Sequence, residues 1–271
     1  MIRDITIGQY LPGNSLMHKM DARVKILLTV TFIAVIFICK NFFALGLMAL
    51  VTLLLTVLSK VPPRMMLKSL RPVMIILLFT AVLNVFYTKD GNVLFSWWRI
   101  TLTDKGVFTA VFMAVRIVCL IAGSSLLTYT TTPTMLTDAI ERLLSPLKIF
   151  KLEVHTLAMM MTLALRFIPT LTEEIDRIMS AQKSRGADLE SGGLIKRAKA
   201  LIPILIPLFI SAFRRAYELA FAMECRCYHG GEGRTRMKQM KMRLPDFVSA
   251  AGMACLLGGV IFVNIYFKAV I

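Results

Sequence analysis

Apolar residues run almost without a break from 25 to 58, interrupted once by the polar tripeptide Cys39-Lys40-Asn41. A membrane span needs ~20 predominantly apolar residues, so the pattern predicts two spans joined by a tight turn. The next segment, SKVPPRMMLKSLRP, is polar and basic, and its prolines are expected to break any helix there. Further apolar runs predict a third span over about 72–87, a fourth over about 107–129 and a last one over about 246–267. Between the third and fourth, Tyr87, Trp97 and Trp98 suit a membrane–water boundary.

Residues 130–244 follow a different pattern, apolar and strongly charged at once. Leu201, Leu205, Leu208, Ala212, Ala216, Leu219 and Met223 recur at steps of three and four, one stripe of a long helix with Arg214, Arg215 and Glu218 off it. Upstream, Leu171, Ile175 and Ile178 continue an apolar face, and Glu173 and Arg177 form an i,i+4 pair opposite. Pro169 in the first helix, and Pro203 with Pro207 in the second, are expected to kink each rod. Such helices, with charged far ends, describe a domain at or below the membrane face. The predicted organisation is a leader (1–24), a four-span bundle (25–129), a cytoplasmic domain of long amphipathic helices (130–244) and a final span (245–271). The expected class is an all-α integral membrane protein with about five transmembrane helices.

Charge orients these segments. The formal net charge of +16 is concentrated between spans. Arg3, Lys19, Arg23 and Lys25 precede the first span, and Lys60, Arg64, Lys68 and Arg71 lie in 59–71 without an acid. The 88–106 loop instead balances Lys89, Arg99 and Lys105 against Asp90 and Asp104. Basic loops stay cytoplasmic, which puts the amino terminus and 130–244 inside. Nucleic acid is not expected as a partner, because aromatic stacking platforms are not interleaved with the basic residues. The first 25 residues lack the apolar core and cleavage site of a removable signal peptide. The five cysteines are scattered and form no disulfide framework.

Candidate chemistry is sparse. The stretch GGEGRTRM is not a phosphate-cradling loop, and there is no His-Glu-x-x-His. Cys225, Cys227 and His229 could ligate a metal, but a structural zinc site wants four ligands and a second pair is missing. No catalytic residue, cofactor-binding residue or resident metal is expected. Arg116 interrupts an apolar run near mid-span and should face the bundle and find a partner, with Asn84 one conceivable choice. The methionines, including Met159, Met160 and Met161, fill a core or supply an adaptable surface. Small residues (Ala44, Gly46, Ala49, Gly252, Gly258 and Gly259) would allow close helix contact.

Two helices then end on an arginine among small residues: Ser184-Arg185-Gly186 and Cys225-Arg226-Cys227. Such an arginine can complement the helix dipole as a cap. It can equally offer a planar guanidinium to an acidic groove on a partner.

These segments resemble one family nearly end to end. GQYLPGNSLMHKMDARVK (8–25), TTPTMLTDAIERLLSPL (131–147), LRFIPTLTEEIDRIMSAQKSRGAD (165–188) and AFRRAYELAFAMECRCYHGGEGRTR (212–236) are similar to the transmembrane (T) component of energy-coupling factor transporters, prokaryotic ATP-driven importers of vitamins and metal ions. The resemblance implies that the two x-Arg-x ends dock in two ATP-binding-cassette ATPase subunits, identical or different. Their motion would pass to a separate small S component that binds the solute, all within the lipid bilayer of the cell membrane. Ala22 stands where the family pattern has Pro, and Cys225 and Cys227 stand where small residues and Gly are usual. Two rival readings are an integral-membrane enzyme acting on a phosphorylated substrate and a stand-alone permease. The first calls for clustered carboxylates or histidines, the second for polar residues along several spans.

Overall fold

A computed structural model describes residues 10–87, 93–97, 100–150, 153–187, 193–230 and 240–266. Its helices are α1 (Leu16–Lys19), α2 (Ala22–Ile38), α3 (Phe42–Ser59), α4 (Pro63–Leu70), α5 (Met74–Tyr87), α6 (Asp104–Thr130), α7 (Pro133–Leu143), α8 (Val154–Ser184), α9 (Leu194–Glu224) and α10 (Leu244–Tyr266). Strands β1 (Val93–Trp97) and β2 (Ile100–Thr103) form a short antiparallel hairpin in an otherwise helical protein. Two units divide the described residues, one drawn from 140–238 and the other from 8–139 with 239–271.

Six helical segments are long and apolar enough to cross a membrane: Phe42–Ser59, Pro63–Phe86, Asp104–Thr130, Val154–Ser184, Ala198–Glu224 and Leu244–Tyr266. Four coincide with expected spans, and the remaining expected span, α2, has 17 residues. The other two are the amphipathic helices α8 and α9, which length and composition alone do not separate from spans. Large apolar side chains such as Phe37, Leu50, Leu53, Leu78 and Phe79 face outward, as lipid contact requires of a multi-pass membrane protein.

The prolines of 59–71 do not abolish a helix there. Pro63 occupies the first turn of α4, where its missing N–H costs nothing and its fixed φ suits the helix. Trp98 and Lys89 lie outside the described residues.

In the larger unit, Phe32, Val35, Ile36, Cys39, Ala44, Met48, Cys119 and Val260 form the core where α2, α3, α6 and α10 meet. The expected small-residue contacts hold for Ala44, which is fully buried. Gly46, Gly252, Gly258 and Gly259 instead have open space where a side chain would be. The close approach falls at Gly123, where a Cβ would lie 2.3 Å from the Phe32 ring.

The α2–α3 turn at Cys39-Lys40-Asn41 is as expected, and side chains from two other helices satisfy its backbone. Asn264 of α10 donates Nδ2 to the Ile38 carbonyl at 2.8 Å and accepts from the Lys40 N–H at 3.2 Å. Asn41 donates to the Val263 carbonyl at 3.3 Å. Arg116 of α6 donates Nη2 to the Cys39 carbonyl and lies over the Phe112 ring, 4.6 Å from its centroid. Arg116 therefore faces the bundle, but its partner is a helix-terminal carbonyl. Asn84 instead donates to the Thr80 carbonyl of its own helix at 2.8 Å.

At the other end of α2, Lys25 is only 6% exposed. Its ammonium donates to the Thr130 carbonyl at 3.0 Å and the Thr131 hydroxyl at 3.2 Å. Asp246, 2% exposed, accepts from the Asp21 N–H at 2.9 Å and the Arg243 N–H at 2.7 Å, so one carboxylate serves the starts of both α2 and α10. Asp21 in turn accepts from the Arg23 N–H at 3.0 Å and pairs with its guanidinium at 2.7 Å. Leu11 donates its N–H to the Tyr129 carbonyl at 3.0 Å, adding the leader to the same cluster.

Asn264→Leu removes two of the turn's side-chain hydrogen bonds, those to the Ile38 carbonyl and from the Lys40 N–H. These bonds lie at an exposed turn, and a typical intramolecular hydrogen bond contributes about 0.5–1.5 kcal/mol. The expected outcome is a clear drop in the unfolding midpoint of the purified chain in detergent. An unchanged midpoint would show that the turn does not depend on α10.

Candidate functional site

The smaller unit is built on α8 and α9, each 31 residues long. Pro169, Pro203 and Pro207 lie inside these helices without ending them. Leu171, Ile175 and Ile178 are half-buried while Glu173 and Arg177 are exposed, as the periodicity predicts.

The covered face of α9 is rotated from its expected stripe. Ile204 is buried and Leu208, Ala212, Arg215, Leu219 and Met223 are half-buried, whereas Leu201, Leu205 and Ala216 are exposed. Arg215 belongs to the covered face because it pairs with Glu174 of α8, which also accepts from the Ser211 hydroxyl at 2.7 Å. Pro207 has no N–H, so the Pro203 carbonyl four residues earlier loses its helical donor. Gln182 of α8 supplies a replacement at 3.4 Å.

These contacts pair 174 with 211 and 182 with 203, so the helices run antiparallel. The two arginine ends consequently lie at opposite ends of the pair. Pro203 touches the turn of α8 that leads to Arg185, and at 1.5 Å per residue about 35 Å of helix separates it from Arg226.

Both ends close in the same way. A helix terminus leaves its last carbonyls without donors, and a left-handed residue lets the chain turn back to meet them. After α8, Gly186 has φ +82°, its N–H donates to the Lys183 carbonyl at 3.0 Å, and the Ala187 N–H donates to Gln182 at 3.0 Å. After α9, Cys227 has φ +53°, its N–H donates to Glu224 at 2.9 Å, and the Tyr228 N–H donates to Met223 at 3.1 Å. In each case the arginine immediately precedes the left-handed residue. Ser184, Arg185, Gly186, Cys225, Arg226 and Cys227 are all exposed, and neither guanidinium bonds to another described residue. The non-glycine Cys227 thus adopts the geometry that Gly186 provides without strain.

Among the described residues, no three His, Cys, Asp or Glu side chains converge to hold a metal ion, so Cys225, Cys227 and His229 form no such site. Periodicity alone could not reveal Gln182, Glu174 and Ser211, because their contacts depend on the rotation of one helix about its axis. The spacing of Pro203 and Pro207, which frees one carbonyl, was the available signal.

Fold and ends together define a multi-pass helical membrane protein that carries an antiparallel helix pair with an exposed arginine at either end. The chain belongs to the family of energy-coupling factor transporter transmembrane proteins: the family described as cobalt transport protein matches residues 13–237, and relatives named as energy-coupling factor transporter transmembrane proteins match along most of the chain. It is 56% identical over 241 residues to the energy-coupling factor transporter transmembrane protein EcfT of Ruminiclostridium cellulolyticum, covering 89% of this chain and 90% of the relative. The protein of that name from Clostridium kluyveri is 54% identical over 92% of this chain and 93% of its own length. The Bacillus subtilis protein is 45% identical over 89% and 91%.

A left-handed conformation costs an L-residue roughly 1–2 kcal/mol, which glycine avoids. Cys227→Gly should therefore steady the α9 end by about 1 kcal/mol, and Gly186→Ala should loosen the α8 end by a similar amount. Since 1.4 kcal/mol is about tenfold, amide exchange over 223–228 should slow, and that over 182–187 quicken, by about fivefold. Unaltered exchange in both variants would show that these closures are not held in solution.

Proposed function

We propose that this chain is the energy-coupling membrane subunit of an ATP-driven importer, with Arg185 and Arg226 as docking tips for two ATPase subunits, identical or different. The observation that carries this reading is the pair of matched closures at opposite ends of an antiparallel helix pair. Two tips so far apart suit two separate grooves better than one. Each tip would follow its own ATPase, and the pair would relay their approach to a separate S component that binds the solute. The relatives' name, a transmembrane protein of an energy-coupling factor transporter, supports this division of labour. Ile202, Ile206, Phe209, Phe213 and Tyr217 are exposed along α9 and offer an apolar ridge for an S component.

A self-sufficient permease would need a polar path. The bundle's cavity of about 330 Å³ instead has mainly apolar walls, among them Leu28, Phe32, Val51, Leu54 and Leu126. The basic segments favour an orientation with the amino terminus and residues 130–244 in the cytoplasm, and the bacterial sources of the relatives favour the cell membrane of a prokaryote. In a cysteine-free background, single cysteines at positions 89 and 192 should label from opposite sides. Equal labelling from outside would overturn this orientation.

If the arginines dock in acidic grooves, Arg185→Glu and Arg226→Glu should leave the chain folded and inserted but impair its assembly with the ATPases. Like charges juxtaposed at an interface cost several kcal/mol, and each 1.4 kcal/mol is tenfold in affinity. Arg185→Lys keeps the charge but loses the planar fork, so it should assemble and couple poorly. A mere cap role predicts instead a local loss of about 0.3–1 kcal/mol and near-normal co-purification. Normal assembly and transport in both Glu variants would falsify docking.

A further inference from the structure

We propose that Asp21, Arg23 and Lys25 at the start of α2, with Asp246 of α10, form a clamp that ties both chain connections of the coupling unit to the membrane bundle. This rests on the coupling reading above and assigns a transmitting role to residues far from the tips.

The chain leaves the bundle through Thr130, Thr131 and Thr132, between α6 and α7, and returns through 240–243 before α10. Lys25 holds the first connection, with Nζ on the Thr130 carbonyl and the Thr131 hydroxyl. The second is held by Asp246, which accepts from the Arg243 N–H, and by Arg23, whose Nη2 reaches the Met240 carbonyl at 3.5 Å. The two grips are one body. Asp21, Arg23 and Lys25 sit within five residues, and the Asp21 N–H donates to Asp246. Two carboxylates and two cations cancel, so the buried cluster holds its charge internally.

These contacts are not the economical way to finish a helix. A local glycine closes α8, whereas the terminal carbonyl of α6 is met by a lysine 105 positions earlier in the chain. The division between the two units falls inside α7, a single helix beginning two residues after Thr131. A rotation of α7 would therefore act directly on the atoms that Lys25 holds. The leader grips the same place through the Leu11 N–H on the Tyr129 carbonyl. Its own turn is pinned by His18, whose ring nitrogens lie 2.6 Å from Ser15 Oγ and 3.0 Å from the Leu11 carbonyl oxygen.

The test compares wild type, Lys25→Met, Asp246→Asn and the conservative Lys25→Arg by amide exchange. In the isolated full chain in lipid nanodiscs, Lys25→Met should speed exchange at 130–132 and also at 240–246, because the two grips are one body. Loosening confined to 130–132 would overturn the shared clamp, and this readout does not depend on ATPase docking. In the complex with its ATPases, a non-hydrolysable ATP analogue should alter exchange at both helix tips and along α2 and α6. In Lys25→Met and Asp246→Asn the tip response should persist while the α2 and α6 response falls at least tenfold, and Lys25→Arg should retain both. A purely structural cluster predicts faster exchange throughout with the nucleotide response of α2 and α6 intact, which would overturn the proposal. Wild type that recruits no ATPase would instead count against docking, leaving the nanodisc result to decide the clamp.

Discussion

A helix end leaves its last backbone groups without intrahelical partners, and meeting them with side chains from neighbouring helices organises the larger unit. At one end of α2, the terminal carbonyls of Ile38 and Cys39 are met by Asn264 and Arg116, from α10 and α6. At the other, the N-terminal amides meet carboxylates, and Lys25 reaches across to the end of α6. Lys25, Arg116, Asp246 and Asn264, from α2, α6 and α10, therefore share one use, which is to complete another helix's backbone. The apolar core of Phe32, Ile36, Met48 and Val260 packs between these two polar ends. Such cross-helix completion fixes the axial register of the bundle, which nondirectional apolar contact alone would leave loose.

The same accounting governs the smaller unit, with a different solution. There the C-terminal ends of α8 and α9 are exposed, and each closes on its own left-handed residue. Between α8 and α9, side chains meet where a proline has removed a donor, at Gln182–Pro203, and where Glu174 faces Arg215 and Ser211. An end that closes on its own backbone leaves the arginine beside it exposed, and among the described residues neither Arg185 nor Arg226 is engaged by another side chain.

Much of this was legible in the sequence. The run from 25 to 58 with its Cys39-Lys40-Asn41 turn, the long helices around Pro169 and Pro203, and the two arginine ends all follow from local pattern and turn chemistry. What was not legible depends on how helices are rotated and how they meet. Lys25 and Arg23 read as loop charges because any lysine or arginine beside a span does so, and only the end of α6 makes Lys25 a buried partner. Arg215 counted as off the apolar stripe until Glu174 was opposite it. Gly252 and Gly258 read as contact residues because small residues often are, yet the contact fell at Gly123, where Phe32 projects. The prolines of 59–71 read as helix breakers, although Pro62 at the cap and Pro63 in the first turn of α4 are positions a helix start accepts.

If the two arginines dock as proposed, the antiparallel pairing of α8 and α9 makes helix length a quantity that evolution can hardly alter. Each tip is a rigid extension of a helix indexed to its neighbour by Glu174, Ser211 and the Gln182–Pro203 contact. One residue inserted between such a contact and its arginine would swing the guanidinium by about 100° around the axis and advance it by about 1.5 Å. A point substitution on the exposed face does neither. Homologous chains should therefore tolerate drift in surface composition along these helices while keeping the residue count from contact to tip constant, with length variation confined to the connections.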